Sequence, residues 1–540
     1  VKGDRVMRVV PFEDDAVNEC WISDRDRFSY EGLNSEDRLS APMIKGTDGK
    51  WQEASWADAL AAVAQGLSRV RDSFGAGQIG ALASEYATTE EYALLGRLVR
   101  ALGSENIDFR LRQTDAAFDA ALTGAPWLGM PIAELDNLDR VLVVGSFLRK
   151  DHPLMAQRLR QAAKRGTQIL MVDSAADDPL MPVAGRITVA PSELPRALAE
   201  VAVALAQAKD AAVPAEFASV TPGENAKIIA ASLASGANTA VLLGNLAVAS
   251  AQASTLAANG RAVADLAGGK FGFLTSGGNT VGGYLAGAVP GKGGKNAAAM
   301  LAEPLKAYVV LHAEPLLDAD NGQQAIAALR GAQFAVALTP YRSAAAEWAD
   351  VMLPVAPFTE TSGTFVNAQG LAQSFKGTVA PFGQTRPAWK VLRVLGNVLH
   401  LAGFDDETSE SVRDAALAGG IEGRLSNDIK APLGLGQAVA GLERVADVPI
   451  YRSDAMVRRS EPLQAAPASK KPAARMNGRT LTSLGLTAGV KVRVTGGQGA
   501  VELETVQDDA VADRAVRISA AFENTAALGG AFGQLSVERA

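Results

Sequence analysis

Apolar positions recur along this chain with two periods, and the switch between them marks out the elements. Residues 6–10 (Val6-Met-Arg-Val-Val10) carry β-branched side chains on one parity, after a Gly3-Asp4 turn and before Pro11, which predicts a short strand. From Trp56 the spacing becomes helical: Trp56, Ala59, Leu60, Val63, Leu67 and Val70 share one face, and Ser55 is placed to cap it. Beyond it, short apolar runs at 79–83, 141–145, 169–172, 241–244, 308–311 and 334–338 alternate with amphipathic stretches. Such alternation predicts an α/β fold, with parallel sheets flanked by helices on both faces. Residues 268–294 are glycine-rich and read as a flexible loop between elements. After a Pro/Ala/Lys linker at 462–474 come β-type runs at 490–494, 500–503 and 515–518, separated by turns such as Gly496-Gly497. They predict a small C-terminal β-barrel-like domain.

Composition narrows the possible functions. The chain has 540 residues, 48% of them hydrophobic, enough for about three or four domains of ordinary size. With 52 Lys+Arg against 59 Asp+Glu the net charge is only -7, which gives no basic footprint for nucleic acid. A single cysteine, Cys20, rules out a disulfide framework and any cysteine-built cluster or zinc site made from these residues alone. His152, His312 and His400 are far apart in sequence and are read as individually satisfied side chains. No apolar run reaches the roughly 20 residues of a membrane span, so no direct membrane insertion is expected. The opening at Val1 reads as the middle of a hairpin, and the chain is expected to be a fragment or an amino-terminally trimmed piece.

Few stretches invite a chemical reading. Residues 141–146 (Val141-Leu-Val-Val-Gly145-Ser146) lead into a helix starting near Pro153 and ending before Gly166, and the next strand closes on Asp173. Such a βαβ unit can hold an anion at the helix start and a ribose on the acidic residue. One glycine stands where the dinucleotide fingerprint needs three, however, so a plain strand-to-helix turn is the favoured reading. The run from Gly287 to Lys295 imitates a phosphate loop, but Ala286 replaces its first glycine and Gly293 its Ser/Thr. Glu347, Asp350 and Glu360 flank an apolar strand and are read as solvated or capping carboxylates. No catalytic set and no metal site is nominated.

Longer motifs carry a resemblance. Asn18-Glu-Cys-Trp-Ile-Ser-Asp-Arg-Asp-Arg-Phe28, Ser35-Glu-Asp-Arg-Leu39 and Pro42-Met-Ile44 resemble the opening segment of the molybdopterin oxidoreductases. Trp348-Ala-Asp-Val-Met-Leu-Pro354, Thr359-Glu-Thr-Ser-Gly-Thr-Phe-Val-Asn367 and Arg386-Pro-Ala-Trp-Lys390 resemble a second signature of that superfamily. Within it, four further motifs resemble the large iron–sulfur (G-type) subunit of bacterial NADH:quinone oxidoreductase, respiratory complex I. They are Arg110-Leu-Arg-Gln-Thr-Asp115, Pro126-Trp-Leu-Gly-Met-Pro131, Gly145-Ser-Phe-Leu-Arg-Lys-Asp-His-Pro153 and Ala313-Glu-Pro-Leu-Leu-Asp318. The similarity runs in order over nearly the whole chain, most loosely in the C-terminal β part.

The resemblance implies a molybdopterin-oxidoreductase-like multi-domain fold. Residues 1–46 would be the remnant of a [4Fe-4S]-type β subdomain, 47–110 with 303–405 one α/β domain, and 111–302 a second, Rossmann-like one. A helical or irregular connection at 406–461 would lead to the linker and β domain at 462–540. Departures from the superfamily pattern are as telling as the matches. The position of a cluster cysteine is Ser23, with Cys20 three residues early, and the usual lysine is missing from Asp24-Arg25-Asp26. The molybdenum-ligand position falls near Thr114, the nucleotide loop after Gly145 has Phe147, and the asparagine motif has Asn367 followed by Leu371. These positions are expected to be vestigial, with the former cofactor cavity turned into packed structure and no convergent cluster of titratable groups.

The implied function is a structural, cofactor-free region of the large iron–sulfur subunit of complex I, supporting electron transfer from NADH to quinone through [2Fe-2S] and [4Fe-4S] clusters in an upstream part. Its implied partners are other subunits of the hydrophilic arm, including the NADH-binding subunit. Its implied place is peripheral, on the cytoplasmic side of the bacterial inner membrane. The oxidoreductase and translocase activity would belong to the complex rather than to this fragment. The alternatives are a molybdenum- or tungsten-pterin oxidoreductase such as a formate dehydrogenase, and a nucleotide-binding module using the Gly145 loop.

Overall fold

The computed structural model describes residues 1–540 and contains a mostly parallel sheet, a second, all-parallel sheet and a closed barrel. The first sheet runs Trp51–Glu53, Met43–Lys45, Val351–Pro354, Phe334–Thr339, Ala307–Leu311, Ile79–Ala83, Ile107–Asp108. Its last five strands are parallel, and the two N-terminal strands add antiparallel at one edge. The second runs Val183–Thr188, Gln168–Asp173, Arg140–Val144, Thr239–Leu243, Lys270–Phe273, all parallel. The central strands are buried on both faces, which is why they read as continuous apolar runs.

The two-residue period of each strand splits its side chains between two cores. Ile79, Ala81, Val309, Leu311, Val336 and Leu338 pack beneath the helices Trp56–Phe74 and Thr89–Ala101. Leu82, Tyr308, Val310, Ala335 and Ala337 point the other way, into a smaller core. The second sheet divides likewise between Leu142, Val144, Leu170 and Val172 on one side and Val141, Val143, Ile169 and Met171 on the other. Ser55 caps the helix Trp56–Phe74 by accepting from the Asp58 N–H at 3.1 Å, and the expected face is the buried one.

Four local expectations need correction. Residues 6–10 form no strand; the amino-terminal stretch has only the bridges Lys2–Arg5 and Asp14–Glu19, and Val10 and Phe12 are exposed with nothing to pair against. The glycine-rich stretch is not a plain loop, since it holds the strand Lys270–Phe273 and the helix Thr280–Leu285. A Cβ on Gly272 would overlap the Leu128 carbonyl, so this glycine serves close approach rather than flexibility. Residues 286–302 are not confined to the second domain: Ala288, Ala297, Met300 and Leu301 pack into the cores of the first sheet. Finally, the barrel begins upstream of 462. Leu442–Val445, placed by sequence in the 406–461 connection, closes it between Ala515–Arg517 and Gln534–Arg539. Around that ring Val492, Val494, Leu503, Val516 and Val537 fill the interior. No helix is long and apolar enough to cross a membrane.

Candidate functional site

Between the two sheets, the barrel and the amino-terminal segment lies a cavity of about 530 Å³. It corrects the expectation of a packed interior without convergent titratable groups. Arg25, Asp26, Glu85, Arg110, Arg112, Asp151, His152 and Asp447 all line it. They come from segments hundreds of residues apart, so no local pattern could reveal their convergence.

Each charged group is positioned by its own element. Ser23 caps the short helix Asp24–Phe28 by accepting from the Asp26 N–H at 3.2 Å. On that helix Arg25 pairs with Asp454 and with Asp26 (2.6 Å), and its guanidinium lies 4.5 Å over the Tyr86 ring. Burial opposes the Arg25 charge, but Asp454, Tyr86 and Asp26 outweigh it and raise its pKa. Arg110, just past the first sheet, donates to Asp108 at 2.8 Å, to Asp119, and to the Tyr284 hydroxyl at 3.0 Å. Arg112 is less provided for: it donates to the Leu317 carbonyl at 2.7 Å and has Asp318 at 3.9 Å. Burial accordingly lowers its pKa, and it raises that of Glu85 against the pull of Arg112.

The second sheet supplies groups that burial shifts in the same sense as Glu85 and Arg112. Past Arg140–Val144 the chain turns at Gly145 (φ +57°), where a Cβ would press on the Ala247 backbone. Phe147 then projects beneath Arg517 of the barrel, whose guanidinium lies 4.4 Å from the ring centre. Burial, reinforced by Asp447, pushes the Asp151 carboxyl up to about 8. Burial pushes His152 down to about 4, and its Nε2, 2.9 Å from the Thr275 carbonyl, must be the N–H donor.

Of the six positions read as vestigial, Ser23, Phe147 and Asn367 line the cavity, while Thr114, Gly145 and Leu371 do not. Thr114 donates its hydroxyl to the Ala249 carbonyl at 3.2 Å. Asn367 accepts from the Gln369 and Leu371 N–H groups at 3.1 Å, closing the turn between Gly363–Val366 and Ala372–Phe375. Leu371 itself is exposed. Asp173 commits its carboxylate to Thr188 (3.1 Å) and Arg186 (3.7 Å) rather than to the Gly145 turn. In the loop after Gly287, Arg100 donates to the Gly287 and Val289 carbonyls at 2.9 and 3.0 Å.

The remaining candidates stay apart. His312 meets Glu91 at 3.3 Å, His400 is exposed, and Cys20 is free and exposed. Glu347 pairs with Arg330 at the surface, and Asp350 accepts from the Ala335 N–H at 2.8 Å. Glu360, buried, receives Arg38 at 2.8 and 2.9 Å. No three His, Cys, Asp or Glu side chains are arranged to hold a metal ion.

Comparison with known proteins gives this architecture a lineage. Residues 38–398 match the molybdopterin oxidoreductase family, and residues 1–31 match the NADH-ubiquinone oxidoreductase NDSU1/NuoG-like 4Fe-4S domain. The G-type subunit of NADH-quinone oxidoreductase from Mycobacterium bovis is 30% identical over 539 residues, covering 92% of this chain and 63% of that protein. The mitochondrial NADH-ubiquinone oxidoreductase 78 kDa subunit of Candida albicans is 26% identical over 428 residues, covering 77% and 52%. The chain thus spans less than two thirds of the length of these relatives. Acetylene hydratase from Pelobacter acetylenicus shares the fold, with a TM-score of 0.69 over 96% of this chain and 94% of that one at 15% identity. The match over residues 38–398 and the shared fold lead to one conclusion: the chain belongs to the molybdopterin oxidoreductase family, and over most of its length it is similar to the G-type subunit of NADH-quinone oxidoreductase.

Proposed function

We propose that this chain is the structural, non-catalytic region of a large iron–sulfur subunit of complex I, bracing an iron–sulfur portion of the same subunit and presenting surface to its neighbours in the peripheral arm. The observation that carries the proposal is the 30% identity to the G-type subunit over 92% of the chain. In the whole complex, electrons would pass from NADH towards quinone through clusters held by cysteines outside residues 1–540. Cys20 alone offers one of the four thiolates such a cluster takes. The NADH-binding subunit is a proposed neighbour, and the cytoplasmic face of the inner membrane the proposed place.

The family name implies a pterin-bound metal, and the donor set around the cavity does not suit one. No thiol lines it, the Thr114 hydroxyl lies outside the lining and is committed to the Ala249 carbonyl, and Phe147 under Arg517 stands where a nucleotide loop would need a polar donor. No step is therefore routed through such a group. The retained cavity does favour a second reading, a molybdenum or tungsten oxidoreductase such as a formate dehydrogenase. Elemental analysis separates the two: we expect no stoichiometric molybdenum, tungsten or iron, and about one molybdenum per chain overturns the first reading. For the assembly role, the region is deleted from the intact subunit, with loss of assembled complex as the expected result. A fully assembled complex with normal clusters and no NADH:quinone turnover would require a direct mechanistic role instead.

A further inference from the structure

We propose that the cavity is a binding site for a planar aromatic monoanion, with Arg112 receiving the charge and the aromatic wall the ring. Its volume, about 530 Å³, lies within the usual range for small-molecule sites. Phe118, Phe147, Phe273, Phe365, Tyr86 and Tyr284 all contribute to the wall, a surface suited to stacking and edge contacts with a flat apolar body.

Charge bookkeeping selects the anion. Three guanidinium groups reach the cavity, and two are neutralised by the protein: Arg25 by Asp26 and Asp454, Arg110 by Asp108 and Asp119. Arg112 keeps one carbonyl and a carboxylate at 3.9 Å, and that carboxylate is already engaged by Arg458 (2.8 Å) and the Glu314 N–H (2.7 Å). Two further acids, Glu85 and Asp151, share the wall. Burial raises the pKa of Glu85 against the pull of Arg112, and Asp151, with its pKa near 8, is mostly protonated at neutral pH. Arg112 is thus the one guanidinium of the three with no carboxylate at hydrogen-bonding distance. A second negative charge on the ligand would meet Asp26 and Asp447 in the same wall and find no cation of its own.

Three probes with the same naphthyl body, titrated into the full chain by calorimetry, test this: naphthalene-2-carboxylate, neutral 2-naphthamide and the dianion 2-naphthyl phosphate. The carboxylate is expected to saturate at one equivalent per chain, at least about tenfold tighter than the other two. Arg112→Gln should reduce it to the level of the amide. Val248→Trp, which fills the cavity from the helix Asn245–Ala249, should weaken all three together. Failure of the carboxylate to saturate, or equal binding of carboxylate and amide by the unsubstituted chain, overturns the proposal, as does tightest binding of the dianion. This ranking is read on the unsubstituted protein, so it decides the matter even if a variant fails to fold.

Discussion

Asp151 and His152 are sequence neighbours whose titrations move stability in opposite directions. The Asp151 carboxyl, raised to about 8, keeps a proton that the unfolded chain releases near about 3.9. Folding binds that proton between the two values, so stability declines as pH rises through this window. The His152 imidazole, lowered to about 4, refuses a proton that the unfolded chain accepts near about 6.5, so its contribution declines as pH falls through that range. Asp151→Asn removes only the first effect, and its Tm relative to the unsubstituted chain should rise from about pH 5 to about pH 8.5. A gap that stays constant would mean the carboxyl is ionised throughout. Phe365 is a second case in which surroundings set the magnitude. A buried ring removed by Phe365→Ala would cost roughly 3 to 5 kcal/mol. This ring is half-buried, edge-on to Phe375 at 5.8 Å and open to the cavity, so about 2 kcal/mol is expected from denaturant midpoints.

Among the elements, glycines divide by what surrounds them. Gly272→Ala drives a methyl into the Leu128 carbonyl beside the edge strand of the second sheet, and overpacking of that kind costs about 1 to 3 kcal/mol or more. Gly268 ends the helix Ala253–Ala267 at φ +74° with open space beyond, so Gly268→Ala meets only backbone strain of about 1 kcal/mol. Equal losses from the two substitutions would refute this distinction. The same contrast shows what the sequence could reveal. Strands such as Ile79–Ala83 and Phe334–Thr339 were legible because burial on both faces writes an unbroken apolar run. The strand Lys270–Phe273 was not, because its glycine answers a neighbour far away in the chain. Nor was Leu442–Val445, whose Glu443 and Arg444 look like surface residues. Both are buried: Glu443 accepts from the Ser192 hydroxyl at 2.7 Å, and Arg444 donates to the Gly529 carbonyl at 2.9 Å.

At the scale of the whole molecule, the cavity was the least legible feature. Motifs could locate Ser23, Phe147 and Asn367 along its wall, but Glu85, Arg112, Asp151 and Asp447 join them only through the tertiary fold. That fold also has a temporal side. The neighbouring strands Ile79–Ala83 and Ala307–Leu311 pair directly, yet the entire second sheet is threaded between them in the chain. During synthesis the edge of Ile79–Ala83 that will meet Ala307–Leu311 must wait unpaired while roughly 200 further residues emerge, and long-range pairing of this kind is slow. The inserted sheet, whose strands lie closer together in sequence, is free to form first. In pulse-labelling hydrogen exchange during refolding, amides of Val141–Val144 should gain protection before those of Val309–Leu311, and the reverse order would show that the long loop closes early. Until that closure the unpaired edge is a template for other chains, so the vulnerable period of this protein is set by the length of its insertion rather than by its final stability.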